Sequence, residues 1–495
     1  MATTSDIALP VVSPPDPGYE RFRDERAAHW DRIARGYDEL TSASAGYHAR
    51  IRDLYQLLVP PGSRVLEIGS GHGTLLAALK PAVGVGVDLS AAMIQEAAKR
   101  HSGNAALRFI QADAHALPVE GPFDVVILSD LVNELWDVQR VLECVRGVCT
   151  PKTRIIINAY SRVWEWPLSM VRRLGLAKPL LRQNWLTVED IQNLLNLAGF
   201  ETIRSTPEVL CPLKIPVLAP LLNRLVVKLW PMRLLAMTNL VIARPKPRTD
   251  NDHPQTHPTV TVVVPARNES GNVPAILARI PQMGPRTEVI FVEGNSTDDT
   301  FAVLERELAG FTRLPWALLK QTGKGKGNAV RAGFEAARGD ILMILDADLT
   351  VPPEDLPRVY EALRLGTGEF VNGVRLVYPM EEKAMRFLNL LGNKFFSFAF
   401  SWLLGQRIKD TLCGTKALWR ADYQRVAANR AYFGDFDPFG DFDLIFGAAK
   451  LNLKIVDLPV RYRERTYGDT NIHRWRHGWL LLRMVAFGAR RLKFV

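Results

Sequence analysis

Two carboxylates one residue apart, Asp346 and Asp348, are the groups in this sequence best suited to metal-assisted chemistry. Oxygen donors suit a hard divalent cation, and Mg²⁺ commonly joins one or two protein carboxylates to a substrate diphosphate. The pair closes residues 341–345, I-L-M-I-L, whose length and apolar content predict a buried strand. The carboxyl end of such a strand is where open α/β sheets bind ligands. A D-x-D pair taken alone is more often a solvated turn, so its neighbours must decide.

A second group of chemically suited residues lies in the first half. The run 64–68 reads as a buried strand followed at once by Gly69-Ser70-Gly71-His72-Gly73. A glycine turn between a strand and a helix lets the backbone approach a ligand closely. The apolar run 83–87 ends in Asp88, about twenty residues after the first strand, where a carboxylate can accept from ribose hydroxyls. Runs 107–111 and 123–128 end at Asp113 and Ser129-Asp130. Strands alternating with helical segments predict a parallel sheet covered on both faces. Runs 154–158, 201–205 and 238–243 read as further strands, and Thr187-Val188-Glu189-Asp190 as a capping box with Asp in the place of Glu. Residues 207–237 are apolar, basic and interrupted by proline. They suit a methyl-acceptor site, a membrane contact or an ordinary packed excursion.

These motifs, V-L-E-I-G-S-G-H-G, V-G-V-D-L-S, Q-A-D-A and F-D-V-V-I-L-S-D-L-V-N-E-L, resemble class I S-adenosylmethionine-dependent methyltransferases over residues 19–244. The resemblance implies that Glu67, Gly69, Gly71 and Gly73 surround the methionine part of the cofactor. It places Asp88 on the ribose and Asp113 on the adenine amine. A dinucleotide oxidoreductase would show G-x-G-x-x-G, whereas the spacing here is G-x-G-x-G.

Residues 245–258 hold four prolines and no aliphatic side chain, a linker composition, and residues 1–18 read as a mobile lead. Beyond the linker, V-V-V-P-A-R-N-E, V-E-G-N-S-T-D-D-T, G-K-G-N-A-V-R-A-G and L-D-A-D-L-T-V-P-P-E-D-L-P resemble the family-2 glycosyltransferases of the GT-A fold. D-T-L-C-G-T-K-A-L-W, F-D-L-I-F-G-A-A and R-T-Y-G-D-T-N-I bring the chain nearest the dolichol- and polyprenyl-phosphate members. The resemblance implies a glycosyltransferase domain over residues 259–495. It sets Pro265, Arg267, Glu269 and Glu293 around the nucleotide, and Asp346 and Asp348 on Mg²⁺ or Mn²⁺. Arg375 and Arg465 are expected to neutralise phosphates. Glu293-Gly294-Asn295-Ser296 replaces the D-D-G-S often seen, and Asn471 stands where Lys is frequent.

The expected fold is therefore α/β in two domains, a Rossmann-like methyltransferase sheet followed by a GT-A fold. The expected function is methyl transfer from S-adenosylmethionine plus inverting transfer of a sugar from a nucleotide sugar to a polyprenyl phosphate or other lipid-linked or glycan acceptor. The alternative is a glycosyltransferase whose first half binds S-adenosylmethionine without catalysis or acts as a scaffold. A phosphate acceptor is already anionic, whereas a hydroxyl acceptor needs a carboxylate base. Asp443, with Asp441 nearby, suits that role or simply the start of a helix.

A formal charge of +10 predicts an anionic partner, and the absence of an aromatic-interleaved basic patch argues against nucleic acid. Residues 385–404 place Phe387, Leu388, Leu391, Phe395, Phe398 and Trp402 at helical spacing. Near the end, Trp475, Trp479, Leu482 and Ala486 share one face, and Arg476, Arg483 and Arg490 another. That pattern suits a helix lying on anionic lipid, or core packing. Four scattered cysteines and the absence of a signal-peptide start predict a cytoplasmic protein, peripherally bound to the inner face of the membrane.

Overall fold

The computed structural model describes residues 17–36, 45–173, 181–247, 257–375, 377, 387–433, 442–463, 465, 467 and 474–495, with backbone only at 172, 387–391 and 474–477. The chain divides into two compact units, residues 1–246 and 247–495. Each is built on its own seven-stranded sheet.

The first unit opens with helices α1 (Pro17–Ala34) and α2 (Ala45–Leu58), then alternates strands and helices. These are β1 (Arg64–Ile68), α3 (Thr74–Ala78), β2 (Val83–Asp88), α4 (Ala91–Arg100), β3 (Leu107–Gln111), β4 (Phe123–Ser129), α5 (Val138–Arg146) and β5 (Cys149–Tyr160). Helices α6 (Glu165–Arg173) and α7 (Val188–Leu197) precede β6 (Phe200–Glu208) and β7 (Thr238–Pro245). The strand order is β3-β2-β1-β4-β5-β7-β6. The sheet is parallel except for β7, which runs antiparallel to both β5 and β6. The all-parallel expectation fails there because β6 reaches β7 through a long connection without a crossover helix to reverse the chain.

Alternation along β4 explains how the sheet is covered. Val126 and Leu128 pack with Val141, Leu142 and Val145 of α5 on one face. Val125 and Ile127 pack with Ile51, Leu54 and Tyr55 of α2 on the other. A period of two in side-chain direction buries both faces, so the strand reads as continuously apolar.

The second unit runs β8 (Val260–Ala266), α8 (Val273–Arg279), β9 (Thr287–Glu293), α9 (Thr300–Ala309), β10 (Trp316–Lys320), α10 (Lys326–Ala336), β11 (Ile341–Ile344), α11 (Leu356–Arg364) and β12 (Phe370–Val374). It continues with α12 (Phe387–Leu404), β13 (Lys416–Trp419), α13 (Arg420–Ala428), α14 (Phe442–Lys450), β14 (Ile455–Pro459) and α15 (Arg474–Gly488). The order is β10-β9-β8-β11-β13-β12-β14, with β13 antiparallel to its neighbours. Leu342 and Ile344 face α10 and α14, while Ile341, Met343 and Leu345 face α8, α9 and α11.

In both sheets the strand order reverses beside a central strand, between β1 and β4 and between β8 and β11. Such switch points open a crevice at the carboxyl ends of the strands. Every expected cofactor residue but Asp113 and Asp88 follows or ends β1, and Asp346 and Asp348 follow β11.

The last helix is split three ways. Leu481 and Met484 join the core, Arg483 and Arg490 are exposed, and Trp479 and Leu482 are also exposed. In α12, Phe396, Phe400 and Leu403 are buried, whereas Phe395 and Phe398 project to the surface. Among the described residues, no helix is long and apolar enough to cross a membrane.

The capping box is present as expected. Thr187 accepts from the Asp190 backbone, and Asp190 in return accepts from the Thr187 N–H at 2.8 Å. Thr187→Ala should lower stability by about 0.5–2 kcal/mol, the usual value of an N-cap. A urea titration of wild type and variant measures it.

Candidate functional sites

At the first switch point, Gly69, Gly71 and Gly73 adopt φ of 74°, 51° and 69°. This left-handed turn suits glycine, and a Cβ on Gly73 would strike the Phe109 ring at 2.4 Å. The turn is anchored on β2, since the Gly69 and Ser70 N–H groups donate to Val87 O. Asp88 accepts from Gly71 N at 2.8 Å and from Ser90 N at 2.9 Å. Burial raises its pKa, and these backbone donors work against that rise.

Glu67 sits inside the same crevice. Burial pushes its carboxyl up to about 8, with the Asp88 charge adding to the rise and a backbone N–H at Leu76 opposing it. Its Oε2 is buried and has no hydrogen-bond partner among the described residues. Asp113 differs. Burial would raise it, but bonds from His115 and Tyr19 prevail and hold it at about 2. The His115 backbone donates at 2.9 Å, His115 Nδ1 lies at 2.8 Å, and the Tyr19 hydroxyl donates to Oδ2. Asp113 is thus already engaged by α1, which the adenine role alone did not anticipate.

Glu67, Gly69, Gly71, Asp88 and Asp113 line one cavity of about 820 Å³ together with Asp130 and Tyr160, whereas Gly73, expected around the same ligand, is not on its wall. Asp130 accepts from Tyr47 at 2.6 Å and from Asn158 at 2.7 Å. Sequence reading noted Asp130 only as a strand end. Its signal was the same as that of Asp88, a carboxylate just past a buried strand. The cavity size and its buried, partnerless carboxylate oxygen fit a ligand that carries a cationic group.

At the second switch point three carboxylates converge. Asp346 pairs with Lys326 Nζ at 2.6 Å, and Asp348 with Arg465 Nη2 at 2.7 Å. Arg465 also reaches Glu269 at 3.4 Å. Burial raises Glu269 to about 7, and Asp348 and Asp346 add to the rise while Arg465 and Asn272 oppose it. Burial would likewise raise Asp346, but Lys326, then Lys416 and Arg375, bring it below the ordinary carboxylate value. Gly414 closes the wall here, for a Cβ on it would overlap the Asp346 carboxylate. Lys326 stands in the first turn of α10, and nothing near it in the chain reveals its pairing with Asp346.

The loops after β8 and β9 are tied together. Glu293 accepts from Ser296 N at 2.6 Å, and Asn268 N donates to Ser296 Oγ at 3.0 Å. Pro265 is half-buried, and Arg267 is exposed beside Gly294.

One expectation differs from what is found. Arg375 does not present its fork to open space. Its Nε and Nη2 donate to the fully buried Asp410 at 2.7 and 2.9 Å, so the guanidinium is committed to an internal pair. Asp443 lies in the first turn of α14 and faces Arg331 at 3.7 Å and Arg430 at 3.6 Å. Asp441 and Asn471 lie outside the described residues.

Among the described residues, no group of three or more His, Cys, Asp or Glu side chains is arranged to hold a metal ion. Asp346 and Asp348 supply two hard oxygen donors, which fits a cation completed by phosphate and water rather than a protein cage.

Comparison with known proteins agrees with this division. Residues 65–152 match the family model of a methyltransferase domain, and residues 261–426 that of glycosyl transferase family 2. An undecaprenyl-phosphate mannosyltransferase of Micrococcus luteus is 28% identical over 221 residues, covering 43% of this chain and 87% of that protein. Glycosyltransferase AglJ of Haloferax volcanii is 29% identical over 224 residues, 45% of this chain and 69% of that one. An undecaprenyl-phosphate 4-deoxy-4-formamido-L-arabinose transferase of Aeromonas hydrophila is 36% identical over 111 residues, covering 22% of this chain and only 34% of its own length. Among solved structures, magnesium protoporphyrin IX methyltransferase (ChlM) from Synechocystis PCC 6803 with bound SAH aligns over 46% of this chain and all of its own. Its identity to this chain is 16% and the TM-score 0.33.

The raised Glu67 pKa has a testable consequence. The folded state holds this proton more tightly than the unfolded chain, whose carboxyl has its ordinary value of 4.5. The stabilisation is complete below that value and is lost as pH rises through about 8. Stability of ligand-free protein should fall across this window, by at most about 1.4 kcal/mol per pH unit. In Glu67→Gln the slope should flatten, as urea unfolding at several pH values would show.

Proposed function

We propose that this chain, which joins a class I methyltransferase domain to a family-2 glycosyltransferase domain, transfers a sugar from a nucleotide sugar to a polyprenyl phosphate and a methyl group from S-adenosylmethionine. The observation that carries the sugar-transfer reading is the crowding of Glu269, Asp346 and Asp348 at the carboxyl end of the second sheet, held by Lys326 and Arg465. The names of the Micrococcus and Aeromonas relatives point to a lipid phosphate as acceptor.

In this reading Asp346 and Asp348 hold Mg²⁺ or Mn²⁺, which supplies Lewis-acid stabilisation to the departing diphosphate. Pro265, Arg267, Glu269 and Glu293 border the nucleotide. Lys326 and Arg465, already in the crevice, are the cations within reach of phosphate oxygens. Arg375 instead fixes Asp410, and so positions the loop that carries Gly414 against Asp346. The acceptor oxygen attacks the anomeric carbon from the face opposite the diphosphate, which inverts it. A phosphate oxygen needs no base, and Asp443 serves instead to position Arg331 and Arg430.

For methyl transfer, Asp88 would receive the ribose hydroxyls, Glu67 and the glycine turn the methionine end, and Asp113 the adenine side. The partnerless Oε2 of Glu67 suits the ammonium or sulfonium charge of the cofactor. Exposed Phe395, Phe398, Trp479 and Leu482, with Arg483 and Arg490, support peripheral contact of the second unit with the inner membrane face.

Asp348→Ala and Asp346→Asn should each abolish release of nucleoside diphosphate, with the thermal midpoint shifted by no more than a few degrees. EDTA should reproduce the loss. Sugar transfer that survives both substitutions and EDTA would overturn the reading. Asp88→Ala should leave sugar transfer intact while weakening S-adenosylmethionine binding, at most about 1.5–3 kcal/mol per lost charge-assisted bond. Calorimetry measures this. Cofactor binding without methyl turnover on lipid extracts would mark the first half as a non-catalytic module.

A further inference from the structure

We propose that the methyltransferase unit docks by its own face on an anionic bilayer, so that the acceptor side of its cavity opens to lipid. The inference rests on the reading of that cavity as the methyl-transfer site. It concerns residues 209–237 and helix α6, which none of the roles assigned above uses.

The inward side of the 209–237 segment is firmly held. Asn223 accepts from Leu210 N at 2.7 Å and Cys211 N at 2.8 Å, and donates to Cys211 O at 2.7 Å. Lys228 is buried against Glu208, and Ala219, Val227 and Ala236 are buried as well. The outward side is apolar and open to solvent. Val217 is 81% exposed, Trp230 79%, and Leu221 and Leu234 are also exposed. Helix α6 adds Trp166, 81% exposed, and Met170. The two segments are tied together by Trp164 Nε1, which donates to Leu235 O at 2.9 Å. A pinned inner side excludes loose packing as the cause of this exposure, and a patch of this kind marks an interaction surface.

The charges on the patch choose the occupant. Residues 209–237 contain Lys214, Arg224, Lys228 and Arg233 and no Asp or Glu. Lys214, Arg224 and Arg233 are exposed among the apolar side chains. Large apolar groups with surface Trp and exposed cations match the boundary of an anionic bilayer, where Trp rings settle and each cation gains from the surface potential. The patch also continues into the cavity. Leu213, Lys214 and Val171 are exposed at the surface, and the same three residues line the cavity wall. A methyl acceptor carried on a lipid would meet the cavity without crossing bulk water.

The test uses the full chain and vesicles of phosphatidylglycerol with brominated phosphatidylcholine. Bromine on the acyl chains should quench Trp fluorescence, and Trp166→Phe/Trp230→Phe should lose part of the quenched component. Val217→Asp/Trp230→Asp should lower vesicle partition by about tenfold or more, since it removes apolar burial and adds charges that the surface repels. Arg224→Gln/Arg233→Gln, which leaves the apolar groups in place, should weaken partition and its salt dependence. This variant keeps the proposal open to refutation if the aspartate pair does not fold. S-adenosylmethionine affinity by calorimetry should be unchanged in all variants. Quenching unaffected by the Trp pair, or partition unaffected by both other variants, overturns the docking surface. A dimer in light scattering that Val217→Asp/Trp230→Asp dissociates, without vesicle binding by wild type, assigns the face to a second copy instead. Loss of cofactor binding in wild type would sink the site reading and leave the docking result standing.

Discussion

Negative charge brought together at the end of a buried sheet is the constraint on which the second unit turns. Burial raises the proton affinity of Glu269, and the nearby charges of Asp348 and Asp346 raise it further. The chain offsets it with cations drawn from separate elements, Lys326 from the start of α10 and Arg465 from the segment after β14. The crevice is therefore complete only when β8, β11, α10 and that segment converge. A pair formed this way is exchangeable. In the proposed reaction a divalent ion would bring positive charge to the carboxylates, and the donor diphosphate would offer oxygens to Lys326 and Arg465.

The first sheet meets the same constraint with neutral donors. Asp88 is served by backbone N–H groups from Gly71 and Ser90, which requires the glycine turn to stand where it does. Glu67 has no cation and instead keeps its proton up to about 8. The two crevices thus serve their carboxylates differently, the second with the cations Lys326 and Arg465 and the first chiefly with backbone N–H groups.

What sequence could show was set by the range over which each interaction acts. The strands of the first sheet, β11, the glycine turn, the capping box at Thr187 and the position of Asp346 and Asp348 depend on residues within a few positions of one another, and these were legible, whereas β10, β12, β13 and β14 were not read as strands. The antiparallel course of β7 depends on how a long connection folds back, and it was not. Pairings made across the fold were equally hidden. Nothing near Arg375 in the chain reveals that Asp410 takes its fork, 35 residues on. Nothing near Asp113 reveals Tyr19, 94 residues before it. Asp130 was legible in principle, since a carboxylate that closes a buried strand at a switch point carries the same signal as Asp88.

The fate of Asp443 joins these threads. A carboxylate that serves as general base must be reachable by the proton it takes. Asp443 is only 10% exposed at its side chain and lies between Arg331 and Arg430. The two guanidinium groups hold it between them. Arg331 stands five residues beyond Lys326 on α10, so the pairing steadies the helix whose first turn reaches Asp346. A hydroxyl acceptor would require Asp443 to leave both arginines, whereas a phosphate acceptor asks nothing of it. The arrangement therefore favours an acceptor that arrives already charged.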